Sequence, residues 1–159
     1  MLFEMKDLGE SRVCLGLEIS RDRQNRRLHL SQPKYMQAVL ERFSMHESKP
    51  VLTPMESSFP SRAWRRSEEL QHPAVDVPYR QAIGSVMFLM TGTRPDISFD
   101  VCSLAKCCKA PLEPHWNAVK RVLRYISGTR RDGLTFGSIS TTDIIGSVSY
   151  THLTLPTKA

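Results

Sequence analysis

A few groups of residues in this sequence could do chemistry, and each has a spacing that can be compared with what that chemistry needs. Cys102, Cys107, Cys108 and His115 form a C-x4-C-C-x6-H run. Zinc fingers and knuckles use other ligand spacings. Cys102 also falls in an apolar helical stretch, so these thiols read as buried core groups and no metal ligand is assigned. Two-metal nucleotide transfer needs carboxylates held close together on rigid elements. The adjacent pair Glu68-Glu69 lies in a proline-punctuated segment that would not fix its geometry. Asp96 and Asp100, four apart, are explained by a helix cap and a surface carboxylate. The sequence has no Ser-His-Asp signature, phosphate-cradling glycine loop or HExxH helix. No catalytic residue follows from these patterns.

Cations make the stronger pattern. Arg21, Arg23, Arg26 and Arg27 cluster at a polar turn from which they can reach phosphates. Lys120, Arg121, Arg124, Arg130 and Arg131 form the densest basic run. On a helix, positions 120, 121 and 124 share the side opposite the apolar positions 119, 122, 123 and 126, a geometry that can track a phosphate backbone. A solvated turn and the charged outer face of an amphipathic helix are the plain alternatives. Trp116 and Tyr125, beside this run, read as packing residues. Arg94, between Thr93 and Pro95, can contact phosphate or bridge to Asp96. The chain carries a net charge of +6 and a pI near 9.4. The excess is uneven, because residues 1–78 hold 12 Lys/Arg against 11 Asp/Glu while residues 79–137 hold 9 against 4. Such a balance is compatible with a polyanionic partner.

The elements that would position these groups follow from periodicity. "RVCLGLEISRD" alternates Val13, Leu15, Leu17 and Ile19 and reads as a strand; "RLHLS" repeats the alternation with Leu28 and Leu30 to complete a hairpin. Ser31 is placed to cap a helix whose second position is Pro33 and which buries Met36, Val39, Leu40 and Phe43. Prolines 50, 54, 60, 73 and 78 make residues 49–78 a linker loop. A helix over about Tyr79–Thr91 follows, with Ile83, Val86, Met87 and Met90 on one face. Pro95 turns the chain, and Asp96 is placed to cap a second helix to about Lys109, burying Ile97, Val101, Leu104 and Ala105. "PHWNAVKRVLRYI" buries Trp116, Val119, Val122, Leu123 and Ile126 up to Gly128, and "GLTF" at 133–136 begins another strand.

With 159 residues, 40% of them hydrophobic, length and composition are those of one globular domain, and the strand and helix patterns above make its fold class α+β. Its longest uncharged apolar stretch is far shorter than the ~20 residues of a bilayer-spanning helix. The opening residues lack a secretory core, and four cysteines without framework spacing suit a reducing, intracellular compartment. "SVSYTHLTLPTKA", residues 147–159, continues no earlier pattern, resembles translated adapter sequence and is set aside as non-native.

Several segments together resemble the reverse transcriptase of copia-type LTR retrotransposons. These are "FEMKDLGE", "LGLEISRD", "LHLSQPKYMQAVLERFSM", "KPVLTPM", "YRQAIGSVMFLMTGTRPDIS" and "HWNAVKRVLRYISGTRRDGLTF", in the family's order, and the resemblance as a whole covers roughly residues 3–145. The resemblance implies that residues 1–48 are the end of the palm, with the Arg12–Ser31 hairpin as a primer grip. It implies that residues 79–137 form a helical thumb or connection region. The helix at 79–91 would lie along a template-primer duplex through its small residues Gly84 and Ser85, for which helix packing is the competing explanation. The metal-binding aspartates of the palm and the carboxylates of RNase H would lie outside this chain, so no cofactor is expected here, although the full-length family uses magnesium. The expected partners are an RNA/DNA template-primer duplex and the missing palm, fingers and RNase H parts, with no membrane. No polymerase activity is expected of this chain alone. A small helical protein-interaction module and a decayed, non-functional fragment are the competing readings.

Overall fold

In the computed structural model the described residues are 9–56 and 76–137. They form an α+β fold: an antiparallel sheet in the order β1-β2-β3-β4, beside four helices. The strands are β1 (Val13–Cys14), β2 (Leu17–Asp22), β3 (Arg27–Ser31) and β4 (Leu134–Phe136). The helices are α1 (Pro33–Arg42), α2 (Tyr79–Gly92), α3 (Ser98–Ala105) and α4 (Glu113–Gly128).

The strand expected from Val13 onward is broken in two. Leu15 and Gly16 both adopt left-handed conformations, with φ of 51° and 81°, and form a two-residue turn that folds β1 back on β2. Such turns match the twist of a hairpin and favour glycine, which explains Gly16. The larger β2–β3 turn is closed by Asp22, whose carboxylate accepts from the backbone N–H and the side-chain amide of Asn25 at 3.1 and 2.6 Å. These bonds hold the Asp22 carboxyl below its ordinary pKa.

The core is built by the helices. Met36, Val39 and Leu40 of α1, Ala82, Ile83, Val86 and Leu89 of α2, Val101 and Leu104 of α3 and Val119, Val122, Leu123 and Ile126 of α4 are all buried in one cluster. Tyr79 fixes the phase of α2: its buried hydroxyl donates to the Leu104 carbonyl at 2.8 Å. With Tyr79 inward, Leu89 faces the core and Met87, expected inside, is 38% exposed. On α4, His115 is buried and Trp116 only half-buried, because His115 closes the helix start: its Nδ1 accepts the Leu112 N–H at 3.0 Å.

Two expected caps take other roles. Ser31 stays in β3 and Gln32 occupies the cap position of α1 without a side-chain capping bond. The buried Gln32 carbonyl oxygen instead accepts the Thr93 hydroxyl at 2.9 Å. It lies so close to Gly92 that an added Cβ there would be 2.5 Å away, so a larger residue would have to displace the Gln32 side chain from this contact. Asp96 lies in a 3-10 turn, Pro95–Ile97, before α3, and its carboxylate turns toward Arg94.

None of the core cluster comes from the sheet. Cross-strand partners share a face, and the register puts Cys14, Leu17, Ile19, Leu28, Leu30, Leu134 and Phe136 on one side. Every one of them is half-buried or exposed.

Candidate nucleic-acid interface

The four hairpin arginines share one concave surface. Arg21, Arg23, Arg26 and Arg27 line a groove of about 770 Å³ with Glu10, Ser11, Asp22, Ile19 and Leu28. The strands set this arrangement, since Arg21 and Arg27 sit at the turn ends of β2 and β3 while Arg26 takes a left-handed conformation in the turn. All four are exposed. Arg23 is paired with Glu10, so one of the cations is already partly neutralised. The groove combines charge at its rim with an apolar floor from Ile19 and Leu28, chemistry suited to a phosphate joined to a flat or apolar body.

The basic run on α4 and just after it is arranged differently. Arg121 donates to Glu56 at 3.2 Å and to the Thr53 hydroxyl at 3.1 Å. Arg124 donates to the Lys49 carbonyl at 2.7 Å. Arg130 donates to the Gln37 side-chain oxygen at 2.8 Å, the His46 carbonyl at 3.0 Å and the Ser127 hydroxyl at 3.1 Å. All three are half-buried, as is Lys120, and Arg131 is exposed. The run therefore straps the connection after α1 onto the helical core, and Arg121, Arg124 and Arg130 are engaged by protein acceptors. Sequence spacing missed this because the acceptors lie up to 93 residues away in the chain.

Of the two roles open to Arg94, the structure selects the bridge. Its side chain is 1% exposed, which puts it out of reach of a phosphate. Nε and Nη2 form a fork on the two Asp96 oxygens at 2.9 and 2.7 Å. Nη1 donates to the Thr129 carbonyl at 2.9 Å and Nη2 to its hydroxyl at 2.7 Å. The guanidinium also lies 5.3 Å from the centre of the Tyr125 ring. Burial opposes the Arg94 charge, but the hydrogen bonds and charge of Asp96 outweigh it and raise the pKa. Burial likewise opposes ionisation of Asp96, and Arg94 together with the Tyr125 hydroxyl overcomes it and lowers that pKa. Arg94 thus ties the end of α2 to the end of α4.

Gly84 lies on the outward face of α2. An added Cβ there would meet nothing within 4 Å, so no helix packs against it among the described residues. Met87, Phe88 and Thr91 share its exposure. Tyr35 packs its ring edge-on against Phe88, with centroids 4.8 Å apart. Ser85, expected beside Gly84 on this face, is instead buried, because it lies on the side of α2 turned toward α1: its hydroxyl donates to the Gln81 carbonyl at 2.9 Å and accepts from Arg42 at 3.5 Å.

Cys102, expected to be buried, is exposed on α3, and Cys107 and Cys108 are half-buried. Asp100, expected at the surface, is 8% exposed, and burial raises its pKa. Among the described residues no three or more His, Cys, Asp or Glu side chains gather closely enough to hold a metal ion. In the same residues no helix is long and apolar enough to cross a membrane. Glu68-Glu69, most of the 49–78 linker and the 147–159 tail lie outside the described residues.

By class this is an α+β chain with two differently used arginine sets, one lining an exposed groove and one strapping the chain to its core. Comparison with known proteins supplies the family. The chain is 43% identical over 137 residues to the retrovirus-related Pol polyprotein from transposon TNT 1-94 of Nicotiana tabacum, covering 85% of this chain and 10% of that protein. It is 39% identical over 132 residues to the corresponding polyproteins from transposons RE2 and RE1 of Arabidopsis thaliana, covering 83% of this chain and 9% and 8% of theirs. The chain belongs with the copia-type transposon Pol polyproteins and spans about a tenth of the length of these relatives. No protein-family profile matches it, and no solved structure does either.

Proposed function

We propose that this chain is the part of a copia-type reverse transcriptase that holds the template-primer duplex, without the residues that join nucleotides. One observation carries the reading: Gly84 stands mid-helix on an open face. Glycine inside a helix costs about 1 kcal/mol relative to alanine. No neighbour among the described residues requires its small size, which supports close approach of another body as its use. The exposed face around it, Met87, Phe88 and Thr91, suits contact with sugars and base edges in a shallow groove. The hairpin groove of Arg21, Arg23, Arg26 and Arg27 would grip the backbone of the same duplex at the primer end. In this reading β1–β3 and α1 are the end of the palm and α2–α4 the thumb. The described carboxylates do not form the cluster that the family's magnesium ions need, so no step of chemistry is assigned to them.

The test is binding of an RNA–DNA hybrid across a salt series. Affinity should fall steeply from about 50 to about 200 mM salt as phosphate contacts are lost. Gly84→Ala should raise stability by about 0.5–1 kcal/mol, whereas Gly84→Leu should weaken hybrid binding severalfold in a folded protein. Absent or salt-insensitive binding would reject the reading, as would a Gly84→Leu variant that binds like the wild type.

A further inference from the structure

We propose that the stretch Lys49–Glu56 is a built-in competitor for polyanions, withholding Arg121 of α4 from phosphate; this rests on the duplex-holding reading above. The geometry of Arg121 is that of an occupied anion fork. One Nη meets a carboxylate oxygen of Glu56 at 3.2 Å and the other meets the Thr53 hydroxyl at 3.1 Å. Two oxygens presented side by side to a guanidinium are also what a phosphate offers. Yet the pair is open to water: the Arg121 side chain is 29% exposed and that of Glu56 61%. An isolated pair of that exposure holds weakly and would yield to a polyanion.

It is not isolated. The strap is anchored beside the pair, by Arg124 on the Lys49 carbonyl at 2.7 Å and by Pro50 against Gly128, where an added Cβ would come within 2.9 Å. Upstream, Arg130 holds the His46 carbonyl at 3.0 Å. These anchors deliver Glu56 to Arg121 intramolecularly, at the high effective concentration that tethering confers. A contact too weak alone therefore suffices to keep the guanidinium occupied. Arg94 marks the contrast, since it is buried and its fork belongs to the core. Arg121 sits at the surface with acceptors that can be removed without opening the core.

The experiment compares four full chains for RNA–DNA hybrid affinity across a salt series, with folding followed by circular dichroism: wild type, Thr53→Val/Glu56→Gln, the same double variant with Arg121→Ala, and Glu47→Gln. Freeing Arg121 should add one phosphate contact, steepening the log–log salt dependence by about 0.9 and tightening binding roughly eightfold near 0.1 M salt. Arg121→Ala should abolish that gain. Glu47→Gln removes the same charge from an exposed site elsewhere and should give none of it. If wild type binds and the double variant only matches Glu47→Gln, or if its gain survives loss of Arg121, the competitor is disproved while the holding role stands. If no chain binds hybrid, the holding role fails and the competitor with it.

Discussion

The hairpin arginines and the α4 arginines look alike in sequence, yet the fold uses them in opposite ways. Around the β2–β3 turn, Arg21, Arg26 and Arg27 line an exposed groove, and among the described residues only Arg23 forms an ion pair there, with Glu10. On α4 and just beyond its end, Arg121, Arg124 and Arg130 end on protein oxygens of residues 37–56. The difference lies in what the chain supplies nearby. The β2–β3 turn presents its arginines in a groove whose described lining offers Glu10 and Asp22 as its carboxylates. A core helix is flanked by the connecting segment, whose carbonyls need donors wherever they are not paired in regular structure. Charge density alone does not say which outcome a basic run will have.

The largest effect is expected at Arg94, which belongs to neither set. Removing one partner of a buried pair leaves the other uncompensated and costs about 3–5 kcal/mol. Asp96 keeps some access to water, with a side chain 40% exposed, so Arg94→Ala should fall at about 3 kcal/mol, the low end. Chemical denaturation measures it. Arg94→Lys should recover little, because a single ammonium cannot form the fork on Asp96 and also reach Thr129. An Arg94→Ala protein of wild-type stability with weakened hybrid binding would return Arg94 to the binding surface.

Paired removal then sharpens the comparison itself. Arg26→Ala/Arg27→Ala should leave the unfolding midpoint within about 0.5 kcal/mol of wild type and reduce the salt slope of hybrid binding by about 0.9 per lost phosphate contact. Arg121→Ala/Arg124→Ala should do the reverse: a stability loss of about 1–2 kcal/mol, from one exposed ion pair and one charged hydrogen bond to a carbonyl, with the salt slope unchanged. Unfolding curves and salt titrations on the same preparations read both quantities. If the slopes exchange places, so do the roles of the two regions.

How far the sequence could be read depended on how local the deciding interactions were. The alternation at Leu17, Ile19, Leu28 and Leu30 and the helical spacing of Met36, Val39 and Leu40 both rest on backbone periodicity, and both appear in the fold. The break at Leu15–Gly16 was hidden because leucine continued the apolar alternation through a turn that only the left-handed φ reveals. The phase of α2 was ambiguous because apolar residues occur around most of its circumference. A tertiary bond from Tyr79 to Leu104 decided it, turning Leu89 inward and Met87 out. Cys102 was assigned to the interior by the company of Val101 and Leu104, yet α3 presents it to solvent. At the candidate site, the exposed hairpin arginines were legible from a polar turn alone. The occupied state of Arg121 was not, since its acceptors Thr53 and Glu56 are separated from it by 68 and 65 residues.

The smallest expected effect separates the fold from its charged surfaces by pH. His115 is 2% exposed, and its Nδ1 must stay unprotonated to accept the Leu112 N–H. Burial holds its pKa below the ordinary value of 6.5. The folded state therefore favours the neutral ring, and the resulting stability is present above the unfolded pKa and lost as pH falls below it. The loss grows by at most about 1.4 kcal/mol per pH unit and ends once the folded pKa is passed. Arginines keep their charge throughout this range, so acidification from about pH 7 to about pH 5 should lower the unfolding midpoint without weakening hybrid binding by molecules that remain folded. His115→Gln keeps an acceptor for the helix start but does not titrate, and should flatten that part of the stability profile. A variant profile that falls as steeply as the wild type would assign the pH response to another group.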